Sequence, residues 1–130
     1  MEGYNFSKEE LNRYARHFAI PEFGLAGQEK LKQSKVLVVG AGGLGSPVLL
    51  YLAAAGVGKI GIVDFDVVDT SNLQRQVLYT VDDVGQSKAQ LARKRILAMN
   101  PHIEVEVYQE ALTRDNALQL VSQYDVVADG

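Results

Sequence analysis

Apolar residues in this chain fall into short blocks separated by glycine and polar turns, and the spacing inside the blocks changes along the sequence. Near the N-terminus Leu11, Tyr14, Ala15 and Phe18 recur at helical spacing behind Ser7 and Glu10, the three-residue offset of a capping box. Ile20-Pro21 is expected to end that helix, because a residue before proline disfavours helical backbone. A second short helix is predicted over 25–33. The pattern then switches to Val36–Val39, apolar at every position, as in a strand covered on both faces. A helix from about 44 to 55 follows, with Pro47 tolerated in its first turn and Gly56-Val57-Gly58 as its stop. Lys59–Val63 reads as a second strand, 66–85 as a polar stretch, and Ser87 to Met99 as a helix stopped by Asn100-Pro101. Ile103, Val105 and Val107 alternate with Glu104 and Glu106, which predicts a strand with one wet face near a sheet edge. A last helix over 113–123 and a strand over 125–128 complete the order.

Strands alternating with helices predict an α/β fold, a Rossmann-like doubly wound and mainly parallel sheet with an N-terminal helical extension. Residues 1–34 are read as the helical segment and 35–130 as the N-terminal part of a nucleotide-binding domain. Ligands of such sheets sit at the carboxyl ends of the strands. The chain stops at Asp129-Gly130, directly behind its last strand, so it is expected to be part of something longer.

Composition narrows the function classes. With 130 residues, 47% hydrophobic and 22% charged, the chain is ordinary material for about one soluble domain. A net charge of -3 gives no electrostatic case for nucleic acid or an anionic membrane. With no cysteine, these residues hold no disulfide, zinc–thiolate site or cysteine nucleophile. The longest apolar run, Val48 to Val57, is too short for a bilayer, and the polar first residues are unlike a secretory signal, so a cytoplasmic location is expected.

The chemistry begins where the first strand breaks into Gly40-Ala41-Gly42-Gly43-Leu44-Gly45. Gly40, Gly42 and Gly45 fit G-x-G-x-x-G, and Gly43 adds a fourth glycine. Gly40 permits the tight turn, Gly42 lets a phosphate approach the main chain, and Gly45 lets the helix sit close to the strand. Asp64, ending the second strand, is placed to accept from ribose hydroxyls; the plainer alternative is a loop cap. Beyond it Asp66, Asp69, Ser71, Asn72, Leu73, Gln74 and Arg75 bring acids, amides and one guanidinium together. Arginine's planar fork suits phosphate oxygens and Asn72 adds a neutral donor; the alternative is a solvated loop with an Asp69–Arg75 pair. Lys88 opens a helix, where a cation opposes the helix dipole unless an anion offsets it; the alternative is an ordinary surface lysine.

In order, Arg13-Tyr14-Ala15-Arg16, the glycine turn, Asp64-Phe65-Asp66, Ser71-Asn72-Leu73-Gln74-Arg75-Gln76 and Val84-Gly85-Gln86-Ser87-Lys88 resemble the ThiF/MoeB family of ubiquitin-like-protein activating enzymes. The resemblance implies an adenylyltransferase: ATP lies over the glycine turn and the C-terminal glycine carboxylate of a ubiquitin-fold sulfur carrier attacks its α-phosphate, in molybdopterin or thiamine biosynthesis. Asp64 would hold the ribose, and Asn72, Arg75 and Lys88 would contact phosphates. Asp66, Ser71, Leu73 and Gln74 belong to the same binding motifs. Arg16 would reach the γ-phosphate of a neighbouring subunit's ATP in a homodimer, so Arg16, Arg75 and Lys88 are the expected catalytic residues. The resemblance places the main magnesium ligand beyond residue 130, together with a carrier-docking region and often zinc-binding cysteine pairs. It therefore implies that these residues alone are incomplete and inactive. His17 stands where the family pattern has glutamine. Other readings are a tRNA-base-activating dehydratase of the same superfamily, an NAD-dependent oxidoreductase resting on the glycine turn and Asp64 alone, and a non-catalytic dimer partner.

Overall fold

A computed structural model describes residues 5–42, 45–69, 71, 73 and 78–129. The elements run α1 (Lys8–Arg13), α2 (Ala15–Phe18), α3 (Gly24–Gln33), β1 (Lys35–Val39), α4 (Gly45–Ala55), β2 (Lys59–Val63), a 3-10 turn (Val81–Asp83), α5 (Lys88–Met99), β3 (Glu104–Tyr108), α6 (Arg114–Val121) and β4 (Val126–Asp129). All strand pairs are parallel, in the order β3-β2-β1-β4. The chain moves outward from β1 to β2 and β3, then returns to the other side of β1. That reversal makes a crevice at the carboxyl ends of β1 and β4, the usual ligand position of an open α/β sheet. The expected Rossmann-like fold is therefore present.

Strand burial follows the sequence pattern. Leu37 and Val38 in β1 and Ile60 and Ile62 in β2 are fully buried, as central strands require. β3 is an edge strand, with Val105 buried and Glu104 and Glu106 exposed, as the alternation predicts. The two sheet faces are unequal. One carries Val36, Val38, Ile60, Ile62 and Val105 against Leu49 and Ala53 of α4 and Ala89, Ala92 and Ile96 of α5. The other carries Leu37 and Val63 against Leu120 and Tyr124 beside α6.

The N-terminal helix departs from expectation. Ser7 and Glu10 do make both capping-box bonds, but the helix breaks at Tyr14 and the second piece ends at Phe18, before Ile20. Tyr14 has φ -100° and ψ 14°, and it turns its ring inward, 2% exposed, to receive a hydrogen bond from Asn100 Nδ2 at 2.8 Å. A contact 86 residues away overrides the local periodicity. The stop after α4 is as expected: Gly56 takes φ +92°, where a side chain would be strained.

Candidate functional site

The site is built around Ala41, the residue between Gly40 and Gly42. Gly40 leaves β1 with φ +95° and its amide donates to Val63 O at 2.8 Å, which holds the turn against β2. Ala41 N–H donates to Asp64 Oδ2 at 2.7 Å, while Asp66 N–H donates to Asp64 Oδ1 at 2.7 Å. Asp64 thus joins the end of β2 to the turn, and each of its oxygens keeps acceptor capacity for another donor. The loop-cap alternative and the binding role are compatible in this geometry.

The carbonyl of Ala41 is held from the opposite side by two hydroxyls, Ser46 Oγ at 2.9 Å and Tyr79 Oη at 2.6 Å. Tyr79 Oη also lies 3.3 Å from Lys88 O at the start of α5. Burial, followed by the negative charge of Asp64, pushes the Tyr79 phenol well above its ordinary pKa, so it remains a donor. One hydroxyl thus joins two of the motifs read from the sequence, the glycine turn and the start of α5. Sequence reasoning missed it, since nothing local marks a tyrosine that bonds 38 residues back.

Lys88 is not a surface lysine. It is 5% exposed, and its amide donates to Asp66 O at 3.0 Å. Its charge is one of the influences on Asp69, whose carboxyl sits below the usual range chiefly because Ser71 N–H and Oγ donate to it at 2.9 and 2.8 Å. The segment behind the site is anchored as well. Val68 N–H bonds Gln86 O, and buried Asp83 takes two 2.9 Å bonds from Arg95 of α5.

A cavity of about 250 Å3 opens at the strand ends, lined by Val39, Gly40, Asp64, Phe65, Asp66 and the 110–112 segment. Its outer wall is pinned by Asn116 Nδ2, which donates to Glu110 Oε1 and Ala111 O. A larger cleft of about 590 Å3 runs along α1 past Lys8, Leu11 and Ala15. The smaller cavity is the better candidate because it lies where the turn and carboxylates converge. Gly40, Asp64 and Asp66 line it, while Gly42, Gly45 and Lys88 lie in the turn and helix starts around it. Ser71 is exposed and Leu73 packs against the core. Gly43, Asn72, Gln74 and Arg75 lie outside the described residues, and with Arg75 the expected Asp69–Arg75 pair. Arg16 is exposed on α2, whose His17 meets Gln28, itself bonded to Ala55 O at the C-terminal end of α4, and it is not among the residues that line the cavity. The structure does not bring it to this chain's own cavity.

Among the described residues no group of three or more His, Cys, Asp or Glu could hold a metal ion. No helix among them is long and apolar enough to cross a membrane.

The model of the ThiF family matches residues 14–130. The chain is 61% identical over 124 residues to the probable adenylyltransferase/sulfurtransferase MoeZ of Mycobacterium tuberculosis, covering 95% of this chain and 32% of that protein. It is 56% identical over 124 residues to the sulfur carrier protein adenylyltransferase of Thermus thermophilus, covering 95% of this chain and 46% of the relative. The crystal structure of E. coli tRNA N6-threonylcarbamoyladenosine dehydratase with ATP superposes with a TM-score of 0.90 at 31% identity, covering 97% of this chain and 51% of that one. The chain thus spans about a third to a half of the length of these proteins.

Proposed function

This chain belongs to the ThiF family, and on that footing we propose that it is the ATP-binding part of a cytoplasmic adenylyltransferase whose substrate is the C-terminal glycine carboxylate of a ubiquitin-fold sulfur carrier. The observation that carries this reading is the fixing of Ala41 between Asp64 and the Tyr79 and Ser46 hydroxyls. That arrangement brings the glycine turn, the Asp64 carboxylate and the start of α5 around one crevice, where a phosphate and a ribose would be held. The 56–61% identity to a sulfur carrier protein adenylyltransferase and a probable adenylyltransferase/sulfurtransferase supports it, as does the ATP bound by the structural relative.

In the proposed reaction a carboxylate oxygen of the carrier attacks the α-phosphorus. The bond from that phosphorus to the bridging oxygen breaks, and pyrophosphate leaves with the electron pair. Val39, Phe65 and Leu112 offer apolar surface to the base, and Asp64 accepts from the ribose. Asn72, Arg75 and Lys88 are assigned to the phosphates, where fixed cations stabilise charge that spreads over phosphoryl oxygens in the transition state. Asp66, Ser71, Leu73 and Gln74 complete the binding loop. Arg16, which does not line its own cavity, is assigned to the γ-phosphate in the second subunit of a homodimer. Magnesium would neutralise the triphosphate when bound. The described residues supply no cluster for it, and zinc has no cysteine here to hold it.

The test is carrier-dependent exchange of pyrophosphate into ATP by the full-length protein, with a ubiquitin-fold carrier ending in Gly-Gly. Arg75→Ala and Lys88→Ala should each lower the rate about 100–1000-fold. Wild-type exchange in both variants sinks the assigned roles. Which carrier supports exchange separates the molybdopterin from the thiamine branch. The tRNA reading has the structural relative in its favour but the lower identity, and it requires tRNA binding in place of carrier-dependent exchange.

A further inference from the structure

Three polar side chains are deeply buried where the N-terminal arm meets the far end of α4: Tyr14 at 2% exposure, and Gln28 and Asn100 at 0%. They form two tethers. Asn100 Nδ2 donates to the Tyr14 hydroxyl and to Ala53 O, both at 2.8 Å, while its Oδ1 accepts from His102 N–H at 3.1 Å. Gln28 Nε2 donates to Ala55 O at 2.8 Å, and its Oε1 meets His17 Nδ1 at 2.8 Å. Ala53 O and Ala55 O belong to the last turn of α4, where carbonyls lack i+4 partners within the helix, and Ala53 O also accepts from Gly56 N–H at 3.2 Å. Gly56 makes the room: a Cβ there would stand 2.5 Å from Gln28 Nε2 and 2.7 Å from Tyr14 Cζ.

These tethers end on the two residues that bracket Arg16. Tyr14 precedes it by two positions and His17 follows it directly, and the two rings stack at 5.8 Å. Arg13, Ala15 and Arg16 face outward and are exposed. α2 has four residues, too few to fix its own direction, because a single helical turn is unstable by itself. The two buried tethers therefore anchor the backbone on either side of Arg16. His17, which departs from the glutamine of the family pattern, acts here through its ring nitrogen.

We infer that Tyr14 with Asn100, and His17 with Gln28, are positioning residues that hold Arg16 toward the nucleotide of a second copy of this chain. The inference rests on the reading of Arg16 given under Proposed function. It places these four residues outside the site of their own subunit and makes their effect appear in the neighbour's.

Mixed dimers test this. Two differently tagged full-length chains are co-expressed, the mixed species is isolated, and carrier-dependent ATP–pyrophosphate exchange is measured. The Tyr14→Phe homodimer should lose about tenfold or more, because a misplaced transition-state contact is costly even when present. Paired with Lys88→Ala, Tyr14→Phe should recover to about half the wild-type rate, since one of the two sites then combines an intact Lys88 with a well-held Arg16. Paired with Arg16→Ala, it should not recover and should stay at or below the level of its own homodimer, since one site then has a misheld Arg16 and the other none. Asn100→Ala, which removes the same bond from the other side, should give the same pattern. Recovery of Arg16→Ala with Lys88→Ala is the control. If that pair does not recover, the action of Arg16 across the dimer is wrong and the inference falls with it. If it recovers while Tyr14→Phe with Lys88→Ala does not, or if the Tyr14→Phe homodimer matches wild type, the positioning role is overturned and the reading of Arg16 stands.

Discussion

The two faces of the sheet are built to different standards. The face toward α4 and α5 is a continuous apolar layer from Val36 to Val105, and Ser46 and Tyr79 reach the glycine turn from that side, Tyr79 also bonding Lys88 O at the start of α5. The face toward α6 is thinner. Leu37, Val63 and Leu120 share it with Tyr124, whose hydroxyl meets that of Tyr108 at 2.8 Å, and with Glu106 and Lys59. Val127 on this face is 41% exposed and Leu118 on α6 83% exposed. The hydroxyls that fix the Ala41 carbonyl come from the dense layer, whereas Val39, Val63 and the 110–112 wall of the cavity lean on the thin one.

The sharpest way to break that comparison is to cut both layers equally. Ile62→Ala should cost about 4 kcal/mol and Leu120→Ala about 2 kcal/mol in urea denaturation, since cavity cost grows where surroundings cannot collapse. Equal losses would erase the distinction. Next in size, Asp83→Ala should cost about 2–3 kcal/mol, because it strands Arg95 beside the segment behind the site; the partial exposure of Arg95 keeps the loss below that of a fully buried pair. Gly61→Ala probes the thin face directly. A Cβ there would collide with the Tyr124 hydroxyl and stand 2.8 Å from Leu37 Cδ1, for a loss of about 1–3 kcal/mol. In a Tyr124→Phe background the loss should shrink, and an unchanged loss would place the strain elsewhere. Tyr79→Phe should cost about 1 kcal/mol of stability, one buried hydrogen bond, with a larger effect on ATP binding than on unfolding. The smallest effect is acidic. The Tyr108 hydroxyl first, and Lys59 second, hold the Glu106 carboxyl below its usual 4.5. Its contribution is therefore fully present above that value and lost as pH falls through the lowered one. Glu106→Gln should flatten the acid limb of the stability profile slightly and leave neutral pH unchanged.

What was legible in the sequence was what local chemistry determines. The strands β1 and β2, the edge character of β3, the glycine turn and the Ser7 cap all follow from residues within a few positions of one another. What was not legible depends on distant partners. The break at Tyr14 needs Asn100, the burial of Lys88 needs the bonds of α5 to the segment after β2, and the 3-10 turn at 81–83 is stabilised by Arg95. The cavity wall at 110–112 carries no motif. Its place is set by Asn116, which sequence reasoning had no cause to single out.

The double hold on the Ala41 carbonyl has a consequence for affinity. A glycine-rich segment left loose would have to give up conformational freedom whenever a nucleotide arrived, at a cost of about 1–2 kcal/mol for each backbone residue ordered. Here the residue at the centre of the turn is already held when the domain folds, by Asp64 on its amide and by Ser46 and Tyr79 on its oxygen. For the proposed adenylation, binding energy would then be free to act on the geometry of the phosphates, where its rate would be decided.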